Sequence, residues 1–238
     1  MTRRRLFVPP ERLGGGVARL GPAERHYLAE VLRLAPGTPL EVFDGAGHAW
    51  EAEFTGGEVR LGAGRDAPPP AAVAWIAFAL PRGERADWAV QKATEAGAAR
   101  LVAWPAARSV VRLEPARAAA RVERWRRIAA EAARQCGRSD VPEVAVAGSL
   151  AGALAAPPGF DRLVLAAGAG VPLRSALRPG AAGWLAVVGP EGGLEDGELA
   201  ACLDAGCTPA SLGPRILRAE TAAVIAAALI QHLAGDLG

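Results

Sequence analysis

The 238-residue chain predicts two joined parts, a small β-barrel-like domain over residues 1–66 and an α/β domain built on a parallel sheet over residues 71–238. Three observations carry this prediction. Up to Gly64 the apolar runs are short and separated by glycine-rich turns, as in strands joined by tight connections. Asp66-Ala67-Pro68-Pro69-Pro70 then forms a stiff linker, because consecutive prolines have no N–H to donate to a sheet. Beyond it, short apolar runs alternate with helical patterns, the order expected where parallel strands are joined by crossover helices.

In the first part, Arg4 to Val8, Leu40 to Phe43, Ala49 to Phe54 and Glu58 to Leu61 read as strands, the second closed by the turn pair Asp44-Gly45. Glu24 to Leu34 reads as a helix with Tyr27, Leu28, Val31 and Leu32 on one face and a stop at Pro36-Gly37. In the second part, strands are predicted at Val73 to Leu80, Leu101 to Trp104, Leu163 to Ala166 and Trp184 to Val188. Helices are predicted at Glu84 to Ala96, Ala116 to Arg134, Glu195 to Ala205 and Leu217 to Leu233, with Glu195 or Asp196 opening the third. In the second of these, Ala118, Val122, Trp125, Ala129, Ala132 and Cys136 recur at alternating spacings of four and three, an apolar stripe, while Arg127, Arg134 and Arg138 share one side.

Composition excludes several classes. With 51% hydrophobic and 22% charged residues the chain is a folded globular protein, not a disordered, collagen-like or disulfide-built one. The longest apolar candidate, Ala222 to Ile230, soon meets Gln231 and His232 and falls short of the roughly 20 residues that span a bilayer. Arg3-Arg4-Arg5 is followed after three apolar residues by Pro9, Pro10, Glu11 and Arg12, so the apolar core of a signal peptide is missing and a cytoplasmic protein is expected. Cys136, Cys202 and Cys207 form no CxxC pair and have no clustered histidine, so neither a disulfide framework nor a metal site is expected. Net charge is only +2, yet residues 71–150 carry 13 basic against 8 acidic side chains, with seven Arg against two Glu between Ala116 and Arg138. Such a stripe either neutralises phosphates or is a solvated helix flank, and charge alone weights the two equally.

In parallel sheets ligands sit beyond the carboxyl ends of strands, which directs attention to the loops there. Val187-Val188-Gly189-Pro190-Glu191-Gly192-Gly193-Leu194 ends a buried strand in a turn whose glycines free the backbone to approach a ligand. It lacks the Gly-Lys-Ser/Thr of a phosphate loop, and the chain has no GxGxxG or GxSxG signature. Ser211-Leu212-Gly213-Pro214-Arg215-Ile216-Leu217-Arg218-Ala219-Glu220-Thr221 crowds two Arg, one Glu and one Thr at the start of a long apolar helix.

These two segments closely resemble the hallmark motifs of the small-subunit ribosomal RNA methyltransferase E family. The resemblance extends through Arg5-Leu6-Phe7, His26-Tyr27-Leu28, Val42-Phe43-Asp44-Gly45, Gln91-Lys92-Ala93-Thr94-Glu95, Arg108-Ser109 and Gln135-Cys136-Gly137-Arg138. Ala96 and Ala219 depart from it, standing where Leu and Thr are usual. The resemblance implies a SPOUT-class methyltransferase: a trefoil-knotted α/β domain, a PUA-like N-terminal barrel, a homodimer, S-adenosyl-L-methionine as cofactor, and as substrate N3 of a uridine in the decoding region of 16S rRNA in the small ribosomal subunit. It implies cofactor contacts from Gly189, Pro190, Glu191, Gly192, Leu212, Gly213, Ile216, Leu217 and Thr221, and Leu165 is added to them from its place at the end of an earlier strand.

Uridine N3 carries a proton that must leave before or during attack on the methyl group, so such a site needs positioning and help with that proton. Arg218 and Arg215 are candidate donors to the uracil oxygens, where negative charge grows. Glu220 and Glu191 are candidate bases, and Glu220 could equally pair with an Arg and hold it in place. Arg5, Arg108, Ser109, Arg134 and Arg138 are candidate RNA contacts, the Arg3 to Arg5 run included, of the kind that position without specifying sequence. Asp44 is either a polar contact across the dimer or a hairpin-turn residue. The tryptophans read mostly as core anchors.

Overall fold

A computed structural model describes residues 4–109, 114–166, 171–234 and 237, so Arg3 lies outside the described residues. Contacts divide the chain into two compact units, Met1–Pro69 with Ala130–Val141, and Pro70–Ala129 with Pro142–Gly238. The proline linker is thus one boundary between them, and the first unit also takes in residues 130–141.

The first unit is built from β1 (Arg5–Phe7), β2 (Leu13–Gly14), β3 (Val17–Ala18), the short helix α1 (Pro22–His26), β4 (Thr38–Phe43), β5 (His48–Phe54) and β6 (Val59–Asp66). Its strands run β1-β4-β5-β6-β3-β2, antiparallel except for β1 beside β4. The expected barrel is therefore, in its pairing, an open six-stranded sheet, and no β1–β2 pairing is found among the described residues. A bulge between Trp50 and Ala52 shifts the alternation of β5, so Ala49 and then Ala52 and Phe54 face inward. Leu6, Val8, Leu28, Leu40, Val42, Phe54 and Val59 form its core.

α1 runs into a wider turn over Tyr27–Val31, closed by Leu32 N–H donating to Tyr27 O at 2.8 Å. That extra residue per turn rotates the predicted apolar face, and Val31 ends 60% exposed while Leu28 is buried. Asp44 is the hairpin-turn residue: Oδ1 accepts from Ala46 N at 2.7 Å and His48 N at 3.1 Å, and Oδ2 meets His48 Nδ1 at 2.7 Å. Arg5, expected to reach RNA, is instead built into the unit with its side chain only 10% exposed. It donates to Glu41 at 2.6 Å, to the Arg138 and Ala133 carbonyls at 2.9 and 3.2 Å and to Ser139 Oγ at 3.2 Å, and lies over the Phe43 ring.

The second unit contains β7 (Ala74–Ala79), α2 (Arg85–Glu95), β8 (Arg100–Trp104), most of α3 (Pro115–Cys136), β9 (Glu143–Val146), α4 (Leu150–Ala153), β10 (Phe160–Leu165), α5 (Leu173–Ala176), β11 (Gly183–Val188), α6 (Asp196–Asp204), β12 (Cys207–Ala210) and α7 (Ala219–Ala234). Its sheet is wholly parallel in the order β12-β10-β11-β7-β8-β9. Every residue of the inner strand β11 is buried, whereas the edge strand β12 tolerates Pro209. Leu165 pairs with Val188 on one side and Ala210 on the other, so β10, β11 and β12 end level.

Glu195 caps α6 reciprocally with Glu198, whose Oε2 accepts the Glu195 N–H at 2.9 Å. α7 buries Ala222, Ala223, Ala226, Ala227 and Ile230, and Gln231 Nε2 donates to Gly97 O at 2.6 Å and Ala72 O at 3.2 Å. In α3, Trp125, Ala129 and Ala133 are buried, but Cys136 is exposed. The helix stops at Gly137, whose φ of 91° breaks the stripe, so Arg138 lies past the helix and pairs with Asp140. Cys202 and Cys207 are buried, and the hydrogen bond with Cys202 together with burial pushes the Cys207 thiol up, which keeps it protonated and inert. Among the six tryptophans, Trp104, Trp125 and Trp184 are buried, whereas Trp88 is 43% exposed.

Candidate active site

The level ends of β10, β11 and β12 open into a cavity of about 430 Å³, within the range of small-molecule sites. Two loops wall it. The first leaves β11 through Gly189, where an added Cβ would meet Leu194 side-chain carbons at 3.0 Å, and turns back through the Gly193 N–H bond to Pro190 O at 2.9 Å. The second leaves β12 at Ser211, whose Oγ accepts the Gly213 N–H at 3.1 Å. Gly213 holds φ at 110°, a region that side chains disfavour.

Leu165, Gly189, Pro190, Glu191, Gly192, Leu212, Gly213, Ile216 and Leu217 all line this cavity, and so does Arg215. Ile216 is 83% exposed, an apolar side chain held at the surface beside the opening. Leu194 and Ser211, from the two singled-out segments, also line it, as do Ala166, Leu199 and Ala210, which lie outside them and gave no signal because isolated Ala and Leu carry none. Thr221 lines neither cavity: Ala219 and Ala222, three positions apart, share the face of α7 that does, and Thr221 lies off that face. The wall is apolar side chain and glycine-rich main chain, with Glu191 and Arg215 as its ionisable groups. It can enclose a flat, largely uncharged group and bond its polar edge through backbone N–H and C=O.

A second, smaller cavity shares Pro190, Glu191 and Ala219 with the first and is otherwise lined by Ala79, Leu80, Pro81, Arg82, Arg85, Arg108 and Ser109. Arg85, in the first turn of α2, donates to Glu191 at 2.8 Å and stands 3.8 Å from Glu220 Oε1. Glu220, only 7% exposed at the start of α7, thus faces an arginine. Arg108 donates to Gly192 O at 2.7 Å. Arg218 is exposed; its carbonyl accepts the Ala222 N–H at 2.8 Å, while its guanidinium makes no hydrogen bond or ion pair among the described residues. Arg85 was missed in the sequence, although it follows the carboxyl end of β7 and the rule applied to β11 would have reached it.

The remaining candidate RNA contacts lie in the first unit. Arg134 donates to Tyr27 Oη at 2.6 Å, lies over that ring and pairs with Glu131, which with the tyrosine outweighs burial to hold its guanidinium above its ordinary pKa. Burial works to raise the Asp140 carboxyl, but the Arg138 hydrogen bond and charge hold it below its ordinary value.

Residues 68–231 match the family described as the RNA methyltransferase domain, and residues 20–59 match the RNA methyltransferase PUA domain. A ribosomal RNA small subunit methyltransferase E from Mycobacterium bovis is 36% identical over 228 residues, covering 89% of this chain and 85% of that protein. A Bacillus subtilis protein of the same name is 38% identical over 167 residues, 66% of this chain and 65% of that one. Among solved structures, a Legionella pneumophila methyltransferase in complex with SAM superposes with a TM-score of 0.89 at 27% identity, and a Neisseria gonorrhoeae ribosomal RNA small subunit methyltransferase E bound to S-adenosyl methionine with 0.86 at 27%, each covering 98% of both chains. The chain belongs to the ribosomal RNA small subunit methyltransferase E family.

Proposed function

We propose that this chain is an S-adenosylmethionine-dependent rRNA methyltransferase that modifies N3 of one uridine in the decoding region of 16S rRNA, in the small ribosomal subunit, and acts as a cytoplasmic homodimer with a trefoil-knotted catalytic domain and a PUA-like RNA-binding domain. The observation that carries it is the cavity at the ends of β10, β11 and β12, walled by the same two segments on which the family resemblance rests. Relatives named for rRNA methylation, and similar structures from Legionella pneumophila and Neisseria gonorrhoeae holding S-adenosylmethionine, support the reading.

The wall fits that cofactor. Leu165, Leu212 and Leu217 offer apolar surface to an adenine ring, the main chain of residues 189–193 and 212–217 offers hydrogen bonds, and Glu191 offers a negative charge to a sulfonium. Bound there, the cofactor supplies a methyl group on a positively charged sulfur, open to in-line displacement. Arg215 at the cavity and exposed Arg218 beside it supply charge to the uracil oxygens as N3 loses its proton. Glu220, held against Arg85, and Glu191 are the carboxylates placed to take it. Arg108, Ser109 and the exposed arginines of α3, Arg127 among them, meet the RNA, while Arg134 and Arg138 act from the first unit.

Primer extension across 16S rRNA tests the reading, using small subunits that lack the modification. N3 methylation blocks the Watson-Crick edge, so a new cofactor-dependent stop at a decoding-region uridine is the expected result. Methyl groups on ribose or tRNA without that stop would reassign the substrate.

A further inference from the structure

The smaller cavity combines two features that do not fit a merely structural gap. Ser109 Oγ lines it and is buried without a hydrogen-bond partner among the described residues, and so is Glu220 Oε2, beside Arg85 on its wall. Buried polar atoms in native proteins are nearly always satisfied, so an orphan on the wall and a second on the carboxylate paired with Arg85 of that wall point to a missing occupant. Three arginines of its wall, Arg82, Arg85 and Arg108, are matched by three carboxylates: Arg85 is shared between Glu191 and Glu220, and Arg108, bonded to the Gly192 carbonyl, stands 3.9 Å from Glu195 Oε1. A phosphate would need a net positive pocket, whereas a neutral group with hydrogen-bonding edges would not. The volume, about 50 Å³, is space for roughly four waters, the scale of a planar ring edge and not of a nucleotide. Arg82, exposed on the same wall, remains for the attached phosphate.

We propose that this cavity receives the acceptor base, a pyrimidine with an N–H between two carbonyls, that Ser109 hydrogen-bonds to it, and that Arg85 is a positioning residue holding the Glu220 carboxylate toward it. The inference rests on the reading that the chain methylates a uridine. Because the two cavities share Pro190, Glu191 and Ala219, an occupant of one abuts an occupant of the other. Arg85 acts through Glu220 and Glu191 and need not touch the base.

The test uses the full chain with S-adenosylhomocysteine and rRNA carrying 4-thiouridine at the position found by primer extension. Irradiation should crosslink that base to peptides containing residues 79–85 or 105–109. Ser109→Ala and Arg85→Ala should each lower crosslink yield and kcat about tenfold or more. Their affinity for S-adenosylmethionine, measured by calorimetry, should stay within about threefold, with Arg85→Lys recovering part of kcat. Crosslinks elsewhere with both variants at full turnover would overturn the base pocket and leave the uridine reading intact. Turnover falling only in proportion to cofactor affinity would move Arg85 to the cofactor site and overturn its positioning role. Methyl transfer to no uridine at all would overturn both.

Discussion

At Gly213 one backbone angle decides whether the second loop can wall the cavity. Its φ of 110° costs a non-glycine residue on the order of 1–3 kcal/mol. Gly213→Ala should therefore weaken S-adenosylmethionine binding about tenfold, read by titration calorimetry, with little effect on the first unit. The glycines and leucines of this cavity were readable because the motif as a whole named them, though none would be noticed alone. Side-chain charges were read less well. Arg5 counted as a free cation in the sequence, since nothing local reveals that its partners Glu41 and Ser139 lie 36 and 134 residues away. Arg85 was invisible for the complementary reason, an ordinary helix-start arginine until the fold brings Glu191 and Glu220 to it.

Helix α3 shows how far periodicity reaches at the scale of an element. Its stripe correctly predicted a buried Trp125, whose indole N–H also donates to Asp87 at 2.8 Å, and failed only at Cys136, one residue before the helix-ending Gly137. Trp125→Ala should cost about 3–5 kcal/mol in urea denaturation. Arg127→Ala, on the exposed flank, should stay within about 0.5 kcal/mol of the parent while reducing the salt slope of RNA binding by about 0.7. A slope unchanged by the substitution would make that flank merely solvated. Strands β9 and β12 escaped prediction because each is four residues long at a sheet edge, and β12 contains Pro209. The wide turn at Tyr27–Val31 escaped because an i to i+5 bonding pattern leaves no mark in composition.

Taken as a whole, the molecule should lose stability on the acid side through its first unit. Burial works to raise the Glu41 carboxyl, but hydrogen bonds and charge from Arg65 and Arg5 hold it below its ordinary value, and Arg138 does the same for Asp140. Groups lowered in the folded state bind protons more readily when unfolded, so their stabilisation is complete above about pH 5 and disappears as pH falls through the lower folded value. Urea midpoints should drop across that window, and Glu41→Gln should flatten the drop at a cost of about 2 kcal/mol near neutrality. His48, raised by Asp44, works in the opposite sense: what it contributes is present at low pH and lost as pH rises through its folded value.

The two-part division was readable from the linker and the change of strand grammar, whereas the return of residues 130–141 to the first unit was not, because it depends on Ala133 packing with Phe43 and Ala49 far away in the chain. Gln231 adds a temporal dimension. Its amide closes on Ala72, a separation of 159 residues, and on Gly97, 134 residues away. A nascent chain emerges from its amino end, so the beginning of the second unit must wait, without these bonds, until position 231 has cleared the exit tunnel. The helix they anchor carries Glu220, so this carboxylate is locked in place only after the whole stretch from Ala72 to Gln231 has been synthesised.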